Sequence, residues 1–231
     1  DLCRFRRAVR ERRWLISVFP ELVEPLRCVM PLYGEGLRRP SILRVALWVN
    51  DVLSADRNRG VPPQGRLEPG TVIGARAVRR RFPILPTDGL EGAAVWYDTM
   101  LKHSNRILIE TLRWASEYEA VAQNYVEVTE VETQQGAATG VIAVDQKTGR
   151  KHAYSASAVV NATGPWSRQF ARRVDRDYPE LFRRSRAWNV VFDRLPIHDG
   201  ALAIQPPGSD GQTYFLSSRG GSLFVGTGHA A

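Results

Sequence analysis

The amino-acid sequence predicts a mixed α/β fold, in which helices pack against a largely antiparallel sheet. The first observation is the alternation of apolar and polar residues over 125–131, followed by turn glycines at Gly136 and Gly140. Alternation with period two is typical of a half-buried strand. The second observation is apolar spacing of three, four and seven residues within 5–19 and 101–122, which is typical of amphipathic helices. Helices and strands therefore share a chain of 231 residues, enough for one large or two small domains.

Composition excludes several classes of protein. The chain carries 32 Lys and Arg against 24 Asp and Glu, a formal net charge of +8, with 43% hydrophobic residues. That apolar content excludes a disordered chain, a collagen and a disulfide scaffold. No apolar run approaches the roughly 18 residues that span a bilayer. The two cysteines, Cys3 and Cys28, lack metal-ligand spacing, so we expect a reduced, intracellular protein without a metal site.

The first third of the chain is expected to be helical with intervening loops. The pattern predicts an amphipathic helix over 5–19, and three prolines make 20–31 a loop. A second helix over 42–53 is apolar nearly all round, which predicts that it is buried. Glycines and prolines predict a loop over 55–70, with disorder as an alternative. Thr71 is expected to cap a short helix that ends at Arg81.

The remainder is expected to contain most of the strands. A strand over 93–97 precedes the helix over 101–122, whose predicted buried face consists of Leu101, Leu108, Leu112 and Ala115. Residues 125–131 and 141–144 form a hairpin, and 151–160 extends it to a three-stranded meander. A basic helix is expected from Arg168 to Val174. Four further strands are predicted over 188–192, 201–204, 213–216 and 223–225.

One string of residues carries the most information about function. It reads Ala158-Val159-Val160-Asn161-Ala162-Thr163-Gly164-Pro165-Trp166, a pattern that predicts a buried strand, a Gly-Pro turn and the start of a helix. A glycine just after a strand lets a ligand approach the backbone, and the first amides of a helix favour an anion. An ordinary strand-to-helix turn is the alternative.

With this string the chain resembles the FAD-dependent glycerol-3-phosphate dehydrogenases, within the wider D-amino-acid-oxidase-like flavoprotein family. The resemblance also covers Asn124 to Val128, Gly140 to Asp145, Thr148-Gly149 and Tyr97 to Leu108, and it extends over most of residues 1–195. It implies part of a flavin-binding sheet with its β-meander, plus a mixed antiparallel sheet of a substrate domain. The implied divisions are 1–90, a helical and loop segment; 91–175, a portion of the FAD domain; and 176–231, part of the substrate domain.

The resemblance implies FAD as the cofactor. Val126 would meet the adenine end through its backbone, and Ala162, Thr163 and Gly164 would lie beside the nucleotide. The Gly-x-Gly-x-x-Gly element that holds the pyrophosphate in this family has no match in the sequence. We therefore expect the chain to be an internal portion of a longer flavoenzyme.

The resemblance also implies hydride transfer from a secondary alcohol to the flavin, and here the sequence departs from the family. Asn189 occupies the position of a family His, and an amide cannot accept a proton near neutral pH. The family's Gly-Thr-Thr-Asp is replaced by Gly226 to His229. A family Arg has no clear match near Gly211, so Arg219 is the nearest basic candidate.

The implied substrate is a small anionic alcohol, with glycerol 3-phosphate as the first candidate and a quinone as electron acceptor. An amine or another hydroxy acid is the alternative within the same flavoprotein family. The implied location is the cytoplasm, with peripheral contact at the inner face of the membrane. A basic module binding lipid or nucleic acid is a further alternative, with nucleic acid disfavoured because its arginines are dispersed. Those arginines are Arg79, Arg80, Arg81, Arg168, Arg172, Arg173, Arg176, Arg183, Arg184 and Arg186.

Overall fold

The computed structural model describes residues 1–34, 36–173, 185–205 and 212–230. The chain divides into two units, the first made of Asp1–Glu110 and Ala187–His229, the second mainly of Thr111–Arg186. These limits do not coincide with the boundaries at 90 and 175 expected from the sequence, because early and late strands share one sheet. Within the described residues, no helix is long and apolar enough to cross a bilayer.

Five α-helices and ten strands lie in the described residues. The helices are α1 (Leu2–Val18), α2 (Pro40–Leu53), α3 (Ala75–Arg81), α4 (Ser104–Ser116) and α5 (Ser167–Arg173), with 3-10 turns at Pro63–Gly65 and Gly164–Trp166. The first six strands are β1 (Val23–Leu32), β2 (Thr71–Gly74), β3 (Gly92–Leu101), β4 (Val126–Gln134), β5 (Ala137–Asp145) and β6 (Lys151–Ser155). The last four are β7 (Arg186–Phe192), β8 (Ala201–Ile204), β9 (Tyr214–Arg219) and β10 (Ser222–Ala230).

The first unit contains a mixed, seven-stranded sheet in the order β2-β3-β1-β8-β9-β10-β7. The β1–β8 pair is parallel, whereas β2–β3, β1–β3, β8–β9 and β9–β10 are antiparallel. One face of this sheet is covered by α3, where Val78 and Phe82 pack on Val29, Val95 and Leu202. The predicted mixed, largely antiparallel sheet is therefore confirmed.

The predicted first helix is confirmed as α1, which begins three residues earlier than expected. Asp1 is its N-cap, and the Asp1 carboxylate accepts a hydrogen bond of 2.9 Å from the Cys3 amide. Ile16 is fully buried in a second core cluster with Phe19, Val23 and Leu67. Burial of these apolar side chains stabilises the helix on the sheet.

The loop predicted over 20–31 is wrong, because Val23–Leu32 forms β1 in the interior of the sheet. Its prolines are tolerated because β8 pairs with β1 only at Cys28 and Val29, between Pro25 and Pro31. The helix predicted from Thr71 is also wrong over its first turn. Residues 71–74 pair with β3 instead, and the helix begins at Ala75.

The second predicted helix is confirmed as α2, but its predicted burial is wrong. No residue of α2 is fully buried, and Val45 and Trp48 are 62% and 65% exposed. Leu43 and Leu47 are half-buried on the opposite side of the helix. Apolar residues on nearly all sides of a helix therefore did not show which side the fold would cover.

The loop predicted over 55–70 is confirmed as a segment without strands or α-helix, and it is ordered rather than disordered. The Asn58 side chain donates to the Leu67 carbonyl and accepts from the Leu67 amide, both at 2.8 Å. Asp56 forms ion pairs with Arg6 at 2.7 Å and Arg13 at 3.0 Å. These bonds fix the loop against α1.

The helix predicted over 101–122 is shorter, and its predicted buried face is wrong. Leu101 belongs to β3, while Leu108 and Leu112 of α4 are 57% and 40% exposed. The helix contributes Ile107 to the core cluster beneath α1. A spacing of three, four and seven residues thus selected a face that α4 leaves exposed.

The second unit contains a three-stranded antiparallel sheet in the order β4-β5-β6, which confirms the predicted meander. Gln135 and Gly136 have φ values of +51° and +78° in its first turn, a conformation that favours glycine. The third strand ends at Ser155, and the buried strand predicted through Val160 is absent. Residues 156–163 form no strand, although the Ala156 amide donates to the Thr139 carbonyl of β5 at 2.9 Å, and Val160 is 86% exposed.

The last four predicted strands are confirmed as β7 to β10: β8 has the predicted bounds, and the bounds of the other three differ by up to five residues. The basic helix predicted after Arg168 is confirmed as α5, up to Arg173. Val174, Arg176, Arg183 and Arg184 lie outside the described residues.

Candidate functional site

The second unit contains a cavity of about 590 Å³ between the meander and α5. Drug-sized ligands and cofactor portions occupy cavities of roughly 300–1,000 Å³. The lining residues are Val126, Glu127, Val128, Val141, Val159, Val160, Asn161, Thr163, Trp166, Gln169, Phe170 and Arg173. We call this space the meander cavity.

A network of hydrogen bonds fixes the turn at one side of the meander cavity. Asn161 Oδ1 accepts from the Thr163 hydroxyl at 2.7 Å and from the Thr163 amide at 3.4 Å. Asn161 Nδ2 donates to the Ser167 carbonyl at 3.0 Å, and the Ser167 hydroxyl donates to the Gly164 carbonyl at 2.7 Å. Gly164 adopts φ +57°, which a glycine reaches without strain. The turn is therefore held in one shape without a regular strand before it.

The chemistry of the lining suits the adenosine end of a dinucleotide. Trp166, which is 66% exposed, and Phe170 offer aromatic surface to a flat ring. Gln169 can exchange hydrogen bonds with ring nitrogens, and Arg173 supplies a positive charge for phosphate. The cavity thus fits the adenosine portion of FAD in size and in donor set.

The four predicted cofactor residues lie in or beside this cavity. Val126 and Thr163 line it, and β4, which carries Val126, is an edge strand with one open backbone edge among the described residues. Ala162 and Gly164 lie in the same turn but are not lining residues. Sequence reasoning missed Gln169, Phe170 and Arg173, which the spacing of three and four residues on a helix after the Gly-Pro turn could have indicated.

Asn189 lies in the first unit, on the sheet face opposite the core cluster. Val95 and Leu202 face the core, so by alternation Trp96 points to the opposite face. There the Trp96 and Phe215 rings meet edge to face, with their centres 6.4 Å apart. Gly226 pairs with Phe215, and a Cβ at Gly226 would lie 1.8 Å from Asn189 Oδ1. Asn189 therefore covers Gly226 on this side, which we call the Asn189 face.

Arg219 lies on the same sheet but distant from Asn189. It is the last residue of β9, and its guanidinium lies 5.4 Å from the centre of the Phe224 ring. Four residues separate it from Phe215 along β9, which corresponds to about 13 Å. The structure therefore does not bring Arg219 and Asn189 together. Gly211, the expected place of the family Arg, lies outside the described residues.

Two side chains of the first unit that could take part in chemistry, Cys28 and His198, are among the groups with shifted pKa values. Burial, with a smaller effect of the Asp98 carboxylate, raises the pKa of the Cys28 thiol to about 12. Burial, followed by the neighbouring Arg81 and Arg27 guanidinium groups, lowers the pKa of His198. Cys28 therefore stays protonated near neutral pH and does not act as a nucleophile. His198 stays neutral, with Nε2 at 3.1 Å from Arg81 Nε.

Comparison with known proteins identifies the family. The model of the family described as DAO, FAD dependent oxidoreductase, matches residues 5–231. The chain belongs to this family. The resemblance drawn from the Val159 to Trp166 string is therefore confirmed, as is the expectation that this FAD dependent oxidoreductase domain is a mixed α/β fold.

The relatives of this oxidoreductase domain are longer proteins. The chain is 25% identical to the aerobic glycerol-3-phosphate dehydrogenase of Bacillus subtilis over 94% of its length and 38% of the relative's. It is 28% identical to the glycerol-3-phosphate dehydrogenase of Synechocystis, over 96% of the chain and 40% of the relative. The chain thus spans about two fifths of the length of these curated relatives.

Solved structures share the fold of the oxidoreductase domain. The glycerol-3-phosphate dehydrogenase of Bacillus halodurans, complexed with FAD, superposes with a TM-score of 0.65 at 22% identity, over 96% of this chain and 38% of that one. L-proline dehydrogenase of P. horikoshii gives 0.67 at 14% identity, over 97% and 54%. At these identities the likeness concerns the fold alone.

Proposed function

We propose that this chain is part of an FAD-dependent dehydrogenase that oxidises a small anionic alcohol, with glycerol 3-phosphate as the first candidate. The observation that carries the proposal is the meander cavity, built by the Val159 to Trp166 string in a chain of this oxidoreductase family. Two relatives with 25% and 28% identity are named glycerol-3-phosphate dehydrogenases, which supports this substrate.

In this proposal the residues of the meander cavity bind FAD, and the Asn189 face orients the substrate. Trp166 and Phe170 would hold the adenine ring, Thr163 and Val126 would lie beside the nucleotide, and Arg173 would attract its phosphates. Bound FAD supplies the hydride acceptor. Asn189 would donate a hydrogen bond to the substrate oxygen, and it cannot take up the alcohol proton because an amide does not titrate near neutral pH. Arg219 remains a candidate for attracting the anionic substrate.

Anaerobic bleaching of the flavin in the intact parent protein tests the substrate. We expect glycerol 3-phosphate to reduce the flavin, and sarcosine, D-alanine and 2-hydroxy acids to leave it oxidised. The alternative is a related flavoenzyme that acts on an amine or another hydroxy acid, which is considered because Asn189 stands where the resemblance places a His. Reduction by an amine and not by glycerol 3-phosphate would decide for that alternative.

We further propose that the parent protein contacts an anionic membrane through α2, where a quinone acceptor would be accessible. Large apolar residues line the side of α2 opposite Leu43 and Leu47: Ile42, Val45, Trp48, Val49 and Val52. Arg38, Arg39 and Arg44 lie at the start of this helix. An apolar stripe with a tryptophan and adjacent arginines is typical of helices that lie in the headgroup region of anionic bilayers.

Co-sedimentation with vesicles tests this contact. We expect binding to vesicles rich in phosphatidylglycerol, loss of binding at high salt, and little binding to phosphatidylcholine. Val45→Glu should abolish binding, whereas Leu108→Glu, at an equally exposed apolar position of α4, should preserve it. Equal loss in both variants, or binding independent of lipid charge, would contradict the proposal.

A further inference from the structure

We infer that Thr227 is a positioning residue, which orients the carboxamide of Asn189 so that its amide group is presented on the Asn189 face. The inference rests on the proposed function only for the identity of the substrate. The arrangement of the three residues involved, Gln212, Thr227 and Asn189, lies entirely within the first unit.

The geometry gives Asn189 one fixed contact and one available group. The Thr227 hydroxyl donates to Asn189 Oδ1 at 3.1 Å, across the β10–β7 pair. Among the described residues, Asn189 Nδ2 has no hydrogen-bond partner. Because the Thr227 hydroxyl engages the Asn189 oxygen, the group that Asn189 leaves available is its NH2, which carries two N–H donors.

Gln212 holds Thr227 in place from the other side. Gln212 Nε2 donates to the Thr227 carbonyl at 2.9 Å. Gly226 lies directly under Asn189, and a side chain there would overlap the Asn189 carboxamide. Gly226 leaves room for the Asn189 carboxamide, and the Thr227 hydroxyl holds its oxygen. Together these two features select one rotamer of Asn189.

This orientation determines what the Asn189 face can do chemically. An N–H donor binds an oxygen that gains negative charge, as a secondary alcohol does while it becomes a carbonyl. It binds an ammonium or a protonated amine poorly, because both sides would be donors. The Thr227–Asn189 pair therefore favours an oxygen-bearing substrate, and the proton of the alcohol must leave by another group or to water.

NMR of the side-chain amides in the 231-residue chain tests the orientation without flavin or turnover. The Asn189 pair of resonances is assigned by its loss in Asn189→Ala. We expect Thr227→Val, which removes only the hydroxyl, to shift this pair, and Thr227→Ser to restore it. Thr213→Val is the matched control, because the Thr213 hydroxyl accepts from Arg38, whereas the hydroxyl bonded to Asn189 is that of Thr227. An unchanged pair in Thr227→Val, or an equal shift in Thr227→Ser, would overturn the inference.

Single-turnover flavin reduction in the intact parent protein tests the consequence. We expect Thr227→Val to slow reduction at saturating glycerol 3-phosphate by about 10-fold, with a smaller change in the apparent Kd, because the hydrogen bond strengthens as charge develops on the oxygen. Thr227→Ser should retain the wild-type rate. Equal rates in Thr227→Val and wild type would overturn the inference. Failure of glycerol 3-phosphate to reduce the wild-type flavin would instead reject the proposed function, and the NMR result would still decide the role of Thr227.

Discussion

The helices α1 and α2 are both rich in apolar side chains, yet the structure buries two of those of α1 and leaves most of those of α2 exposed. Val9 and Ile16 of α1 are 2% and 0% exposed, whereas no residue of α2 is fully buried. The difference lies in the neighbours. The segment 55–70 lies against α1, where Val61 and Leu67 join the core cluster. Helical periodicity therefore identifies an apolar side, and tertiary neighbours decide whether it becomes core or surface.

Truncation of the most buried side chain of α1 should have the largest effect. Ile16→Ala removes a fully buried side chain from the cluster with Phe19 and Leu67. We expect a loss of about 2–5 kcal/mol in the free energy of unfolding, because a cavity adds to the lost burial. Urea denaturation followed by circular dichroism measures it. A loss below about 1 kcal/mol would show that α1 is not held as described.

Gly65→Ala tests the same contact from the side of the loop. A Cβ at Gly65 would lie 2.5 Å from Ile16 Cγ2 and 3.3 Å from Val61 Cγ1. We expect a destabilisation of about 1–3 kcal/mol from overpacking. Gly74→Ala is the matched control, because the added methyl group has open space there. Gly60 is not suitable as a control, because its φ of +76° would strain any side chain. Equal stability of Gly65→Ala and Gly74→Ala would contradict the close packing.

Asp56→Asn tests the ion pairs between α1 and the loop. Hydrogen bonding to the Arg6 guanidinium lowers the pKa of Asp56 below its ordinary value of 3.8. A lowered pKa in the folded state means that this stabilisation is present above the unfolded pKa and is lost as the pH falls through the folded pKa. We expect Asp56→Asn to lower the urea midpoint at pH 7, and the difference from wild type to shrink at pH values below 3.8. A constant difference across that range would contradict the ionic origin.

Val45→Ser in α2 should have the smallest effect on stability. Val45 is 62% exposed, so we expect a change within about 0.5 kcal/mol. Val9→Ser, the same substitution at a position of α1 that is 2% exposed, is the matched comparison and should cost well over 1 kcal/mol. Thermal denaturation of the two variants measures both. Similar losses in the two helices would mean that the apolar side of α2 is covered in the free chain.

Most helices, strands and turns could be predicted from the sequence, because they depend on the pattern of residues that are close together in the chain. The β4–β5–β6 meander was predicted with its turns, since Gly136 takes a positive φ and Asp145 accepts from the Lys147 and Thr148 amides. It misplaced β1, whose prolines resemble a loop locally. Non-local pairing with β3 and β8 outweighs that local signal.

For the candidate site, local sequence predicted the family and the Gly164-Pro165 turn but not the missing strand before it, because the turn depends on Gly164 and on hydrogen bonds within residues 161–167. That Gln169, Phe170 and Arg173 share a cavity with Val126 follows from the fold, which brings together segments distant in sequence. The tertiary structure also decided that Asn189 meets Thr227 while Arg219 lies apart, because strand register, and not residue type, sets which side chains are neighbours.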